Sequence, residues 1–274
     1  MWLLVASIAD EASLGQRDAL MRLATWTEAG RFGSEPILRS ERFALLTIPD
    51  LHLYHDNIDR EAEIALGQRP DVVVFLSKHR SESKTPSLAV HPLGNFTEAQ
   101  FGGQPRRLVP SAPQVMTDTL RAIRREAREL SYAVTFEATH HGPYLETPAF
   151  FIEAGSTETE WRDLRASEAL MRALLSVHPR AVRIGIGIGG GHYAPRMTDI
   201  AFARDIAFGH IVPGYALDTM EDAMFDEIVA KTPGAEFVYL HRKAIDKGVA
   251  RRIEAAFDAR GLRSIHGEDL PALP

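Results

Sequence analysis

Short, strongly apolar runs recur along this 274-residue chain, and stretches with helical periodicity separate several of them. The runs at 2–9, 43–48 (FALLTI), 71–76 (DVVVFL), 132–137 (YAVTFE), 149–153 (AFFIE), 181–188 and 236–240 (EFVYL) have the length of strands. Several are apolar at nearly every position, as strands buried on both faces are. Between them, Met116, Leu120, Ile123, Ala127 and Leu130 fall at helical spacing within 113–130. Thr157 with Glu160 three residues on forms a capping box, and Leu164, Met171, Leu174 and Leu175 continue it as an apolar stripe. A last helix covers about 247–260. This alternation predicts an α/β fold of three layers, α/β/α, around a mostly parallel or mixed central sheet.

One domain spanning residues 1–274 is expected, since no shift in composition marks a boundary. Its apolar content of 45% is ample for one core. The Ser-, Pro- and Gly-rich segment at about 78–112 breaks the alternation and predicts a long loop at the active site. The chain has no cysteine, which excludes disulfides, thiol nucleophiles and thiolate-held zinc. A net charge of −6 excludes a basic field over the whole surface, so any polyanion must be met by a local patch. Only five of the 31 basic residues are lysines, at 78, 84, 231, 243 and 247. The apolar start, MWLLVASIA, lacks basic flanks and predicts a first buried strand. No stretch approaches the roughly 20 apolar residues of a membrane span, so a cytoplasmic protein with no membrane partner is expected.

The run RIGIGIGGGHYAPR at 183–196 satisfies G-x-G-x-x-G through Gly185, Gly187 and Gly190. A dinucleotide site also needs a helix packed directly at the third glycine. Here His192, Tyr193, Ala194 and Pro195 follow instead, and no phosphate-loop lysine is present. In a strand, Gly185 and Gly187 share a face with Arg183, opposite Ile184, Ile186 and Ile188. That face admits close packing, or close approach of a ligand. Only a site at the rim also accounts for the histidine and tyrosine that follow.

Imidazoles and a carboxylate cluster at predicted strand ends: His79, His91, His140, His141, Glu153, His192 and His210. Ligands of α/β sheets bind at the carboxyl ends of strands. His52, His55, His178, His241 and His266 carry no such pattern. Without thiols, imidazole plus carboxylate suits a catalytic zinc with an open position. A metal-free site also fits, with a histidine as general base and the N–H groups of Gly189, Gly190 and Gly191 holding an oxyanion. Glu153 could instead cap the helix that begins near Ser156.

HHGP at 140–143, GIGGGHYAPR at 187–196, SKHRSES with VHPLGN within 77–95, and IEAGSTETEW at 152–161 resemble D-aminoacyl-tRNA deacylases of the archaeal and plant type. The resemblance extends over the whole chain, including VPGYALD and HRKAIDKG near the C-terminus, and departs at Thr85 and Pro86, where a small residue is expected. It implies a fold like the peptidyl-tRNA hydrolase and purine phosphorylase group. It implies hydrolysis of the ester joining a D-amino acid to tRNA, with zinc as cofactor and tRNA as partner. On that basis His140, His141, His192 and Glu153 are the expected catalytic residues, with His140, His192 and Glu153 as metal ligands. His79, Ser81, Gly189, Gly190, Gly191, Lys243 and Lys247 are the expected substrate contacts. Arg121, Arg124, Arg125 and Arg128, on one helix, are either phosphate contacts or a solvated face. A monomer is expected, with a dimer open. A zinc amidohydrolase or aminopeptidase acting on a small substrate is the alternative activity.

Overall fold

In the computed structural model, which describes residues 1–273, the strands form two sheets. The larger contains β1 (Trp2–Ser7), β2 (Thr27–Phe32), β3 (Glu35–Ser40), β4 (Phe43–Ile48), β5 (Val72–Arg80), β6 (Ser87–His91), β7 (Ala133–Phe136) and β8 (Ala149–Ser156). Its order is β2-β3-β4-β1-β5-β8-β6-β7. The central strands β4, β1, β5 and β8 run parallel, β6 runs antiparallel to β8, and β2–β3–β4 forms an antiparallel meander. The smaller sheet is wholly parallel, with β9 (Arg183–Ile188), β10 (Ile206–Val212), β11 (Ala235–Leu240) and β12 (Arg263–Ser264) in the order β10-β9-β11-β12. The expected α/β class with a mixed sheet is therefore observed, but the strands divide between two sheets.

Helices α1 (Glu11–Leu23), α2 (Ile58–Leu66), α3 (Pro113–Glu126), α4 (Glu158–Trp161), α5 (Leu164–Ser176), α6 (Pro195–Ala203), α7 (Gly214–Leu217), α8 (Asp222–Ala230) and α9 (Lys247–Asp258) complete the fold. Alternation of side chains puts Leu4, Leu45, Val74 and Phe150 of the large sheet in one core and Leu3, Leu46, Val73, Phe75 and Phe151 in another. A third core joins Ile186, Ile188 and Val238 to Phe225 of α8 and Phe257 of α9. The capping box is present: the Thr157 side chain accepts from Thr159 N–H, and Glu160 reaches back to the Thr157 N–H. The single helix expected from there on is interrupted, because Asp163 caps a new one, α5. No helix among the described residues is long and apolar enough to cross a membrane.

Residues 78–112 are not one loop. Strand β5 continues to Arg80, because Ser77, Lys78, His79 and Arg80 pair with Glu153, Ala154, Gly155 and Ser156 of β8. Strand β6 then occupies 87–91. Cross-strand hydrogen bonds impose extension on polar residues whose composition reads as loop. Glu153, expected at a strand end, consequently lies inside β8.

Two other expectations change. His210 is not at the site: buried in β10, it lies 3.0 Å from both the Thr139 hydroxyl and the Val109 carbonyl oxygen. Arg121 is neither solvated nor free for phosphate. Its guanidinium donates to Asp118 (2.7 Å) and to the carbonyls of Ala201 (2.9 Å), Arg204 (2.7 Å) and Ile206 (2.8 Å), tying α3 to the end of α6 and the start of β10. Arg124, Arg125 and Arg128 are exposed.

Breaking a buried, hydrogen-bonded ion pair costs about 3–5 kcal/mol. Arg121→Ala is expected to lower unfolding free energy by that much, and Arg128→Ala by less than about 0.5 kcal/mol, read by urea denaturation. Burial pushes the His210 imidazole down to about 3. Its folded value lies below the ordinary 6.5, so its contribution to stability is present above 6.5 and is lost as pH falls toward 3. The loss approaches ~1.4 kcal/mol per pH unit for one such group. A His210→Asn variant should show a shallower acid limb, and an unchanged limb would refute this.

Candidate active site

Five segments bring their polar side chains to one place. Strand β5 supplies His79, β6 ends in His91, and β8 carries Glu153. The chain leaving β7 supplies Glu137, His140 and His141, and the turn after β9 supplies His192 and Tyr193. An isolated bridge between Glu137 and Tyr193 joins the two sheets at this point, and Ala138 N–H donates to the His192 carbonyl at 2.8 Å. Pairing register puts the β5, β6 and β8 residues on one face. His91 lies opposite Phe151 and stacks on its ring at 5.0 Å and 9°. His79 lies opposite Gly155, where a Cβ would sit 2.6 Å from the His79 Cβ. Glycine at 155 is thus what lets the imidazole lie across β8. Trp161 Nε1–H donates to the His79 carbonyl at 2.7 Å and fixes the end of β5.

Two carboxylates are buried at the centre, with Glu137 0% and Glu153 2% exposed. Glu137 Oε1 is 3.2 Å from His79 Nδ1, and Oε2 is 3.2 Å from His192 Nε2 and 3.7 Å from His140 Nε2. Glu153 Oε2 is 3.6 Å from His79 Nδ1, and Oε1 is 3.6 Å from His91 Nε2. Neither oxygen of Glu137, nor His91 Nε2, has a hydrogen-bond partner among the described residues. Unsatisfied buried carboxylate oxygens are costly.

The tautomers sharpen the picture. Nδ1 of His91 lies 3.1 Å from the Pro92 carbonyl, that of His140 2.8 Å from Ala138, and that of His141 3.1 Å from Gly142. A ring nitrogen facing a carbonyl donates, so these three rings commit Nδ1–H to backbone and leave Nε2 for another partner. Metal-ligating histidines are oriented in this way. Ligand atoms of His91, His140 and His141 lie within 4.8 Å of one another, as do those of His79, Glu137 and His192, and of His91, Glu137 and Glu153. The expected ligands His140, His192 and Glu153 therefore fall into three different sets.

Protonation follows from burial and charge. Burial, helped by the positive charge of His91, pushes His141 down to about 3. Burial and the neighbouring imidazoles hold His140 well below its ordinary value. Burial opposes charge on His79, but the neighbouring carboxylates of Glu153 and Glu137 raise it to about 9. Burial would raise Glu153, yet His79 and His91 hold it well below the usual carboxylate range.

These groups face a cavity of about 1060 Å³, lined by His140, His141, His192 and Glu153 and by Lys78, Arg80, Phe101 and Trp161. Ser81, half-buried just past β5, also lines it. The glycine run divides. A Cβ at Gly185 would meet Phe237 at 2.3 Å and one at Gly187 would meet Met197 at 2.8 Å, so that face is close packing and admits no ligand. Gly189 is not an oxyanion donor, because its N–H is bound to the Val212 carbonyl at 2.7 Å. Lys243 and Lys247 are exposed and do not line the cavity. Glu153 caps no helix, since Thr157 caps α4. Glu137 and Tyr193 were missed by sequence reasoning. The signal for Glu137 was present, a carboxylate closing the apolar run YAVTFE.

Residues 66–265 match a family model described as D-aminoacyl-tRNA deacylase. A D-aminoacyl-tRNA deacylase of Methanosarcina mazei is 35% identical over 276 residues, covering 97% of this chain and 92% of that protein. One of Pyrococcus abyssi is 35% identical over 259 residues, covering 92% and 94%. The crystal structure of a conserved protein of unknown function, AF0625, superposes with a TM-score of 0.91 at 28% identity, covering 98% of this chain and 96% of that one.

The charges around His79 yield a test independent of activity. In the metal-free protein the His79 ring stays charged through neutral pH and titrates at about 9, while His141 stays neutral until about 3. Histidine NMR titration should show both. Glu137→Gln removes one raising charge, so the His79 midpoint must fall; a midpoint that stays put would refute the arrangement.

Proposed function

The chain belongs to the D-aminoacyl-tRNA deacylase family, and from that premise we propose that it hydrolyses the ester between a D-amino acid and the terminal ribose of tRNA at the Glu137–Glu153 histidine cluster. The observation that carries the site assignment is the orientation of His91, His140 and His141. Each spends Nδ1–H on a backbone carbonyl and leaves Nε2 to the buried interior. These three imidazoles beside two buried carboxylates are a donor set suited to zinc, with His91, His140 and His141 as its holders. Such an ion, when bound, polarises a carbonyl and makes water more acidic.

The remaining residues handle the substrate and the proton. His192 is the most exposed of the imidazoles near Glu137, with 39% of its side chain accessible. Its Nε2 lies 3.2 Å from Glu137 Oε2, leaving Nδ1 to take the proton from the attacking water. The same imidazole returns that proton to the ribose oxygen as the ester bond breaks. His79 is held by Tyr193, whose hydroxyl lies 2.8 Å from Nε2, and its charge offsets that of the two carboxylates. Trp161, Phe101 and Leu53 give the cavity an apolar wall for the aminoacyl side chain. Selection of the D ester would then be steric, with this wall turning away the L side chain. The tRNA body is the partner, and zinc the cofactor.

Incubation with D-tyrosyl-tRNA and L-tyrosyl-tRNA should release only the D amino acid, and a chelator should stop release until zinc is returned. His192→Ala should lower kcat by about 10²–10⁴, the usual range for a lost general base, without loss of thermal stability. Full turnover by His192→Ala would remove it from this role. Turnover indifferent to the chelator would remove the metal.

A further inference from the structure

A second, basic cavity lies at the carboxyl edge of the smaller sheet. Strands β9 and β11 are neighbours ending at Ile188 and Leu240, so Gly189–Gly191 and His241–Lys243 leave the sheet side by side. Between His241–Lys243, α6 and the segment 265–268 is a groove of about 710 Å³, lined by Arg196, Tyr239, His241 and Lys243 among others.

No carboxylate lies within ion-pair distance of Arg196, His241 or Lys243 among the described residues, whereas nearby Arg242 is paired with Glu254. Arg196 instead donates Nε–H to the Tyr239 hydroxyl at 2.8 Å. The acidic residues that line the groove, Asp199 and Glu268, pair with none of the three. His241 feels both neighbours: burial first, then the charges of Arg196 and Lys243, hold its imidazole below the ordinary value. Its Nδ1 is buried and has no hydrogen-bond partner, and it sits 3.8 Å from where a Gly190 Cβ would lie.

The glycine turn presents backbone to the same place. Gly214 N–H donates to the Gly190 carbonyl at 2.8 Å and pins the turn, while the N–H groups of Gly190 and Gly191 find no acceptor among the described residues. A Cβ at Gly191 would meet nothing within 4 Å. Successive free N–H groups beside unpaired cations form an anion site. His192, which lines the hydrolytic cavity, follows on the same turn. On a chain of net charge −6, affinity for a polyanion must come from such a local patch.

We propose that this groove, lined by Arg196, His241 and Lys243 with the glycine turn set against His241, binds the phosphodiester of tRNA next to the esterified ribose. The proposal rests on the deacylase reading for the identity of the RNA, and deepens it. The exposed surface at the end of α3, with Arg124, Arg125 and, just past it, Arg128, is then not the RNA surface.

The test compares Lys243→Glu, Arg196→Glu and Arg128→Glu with the unmodified protein. Two quantities are read: binding of uncharged tRNA against salt, and kcat/KM for D-tyrosyl-tRNA relative to the D-tyrosyl ester of adenosine, which has no phosphodiester. Lys243→Glu and Arg196→Glu should each weaken tRNA binding about tenfold and flatten the log–log salt slope by about one. They should lower the substrate ratio by about the same factor. Arg128→Glu should change neither quantity. Equal effects of all three variants, or an effect of Arg128→Glu alone, would overturn the groove. So would equal losses on both esters with tRNA binding intact. Absence of D-tyrosyl-tRNA turnover in the unmodified protein, with tRNA binding still lost in Lys243→Glu and Arg196→Glu, would sink the deacylase reading and leave the groove standing.

Discussion

Glu137 and Glu153 share one buried volume, and a carboxylate there must find positive or donating partners because water no longer supplies them. Imidazole nitrogens of His79, His91, His140 and His192 lie 3.2–3.7 Å from those carboxylate oxygens. His79 and His91 are raised by them against the effect of burial, while His140 and His141 remain neutral. The cluster therefore holds charged and uncharged imidazoles side by side.

The scaffold delivers this arrangement through pairing register. Glu153 sits in the middle of β8, with β5 on one side and β6 on the other, so a slip of one residue in either pairing would turn His79 or His91 to the opposite face. Gly155 keeps the surface of β8 low enough for the His79 ring, and Phe151 gives His91 a flat support. The smaller sheet contributes only its first turn to the cluster, yet that turn supplies His192 and Tyr193. The basic groove opens on its other side.

Much of this was legible in the sequence where a pattern is local. Apolar runs marked β1, β4, β8, β9 and β11 to within a few residues, and the capping box placed the start of α4. Histidines next to those runs pointed to the edge of the fold where the imidazole–carboxylate cluster forms. What failed was whatever depends on a distant partner. His79 and Arg80 have the composition of a loop, and only pairing with β8 makes them strand. Arg121 carries the same charge as Arg124 and Arg125, and only carbonyls at the end of α6 and the start of β10 draw it inside. His210 resembles the other strand-end histidines, but a strand with no apolar alternation to announce it, β10, carries it into the interior. Glycines at 185 and 187 invite a ligand on paper, and Phe237 and Met197 fill that space first.

The bridge between Glu137 and Tyr193 has a consequence for synthesis. Residues of the cluster lie between 79 and 193, so closing it requires the contact of highest sequence separation, between the end of β5 and the turn after β9. A chain emerging from the ribosome can form β1, β4 and β5 early, yet carries its two acidic side chains without their full set of imidazoles until β9 has been made. The interval leaves a charged hole in an otherwise apolar sheet.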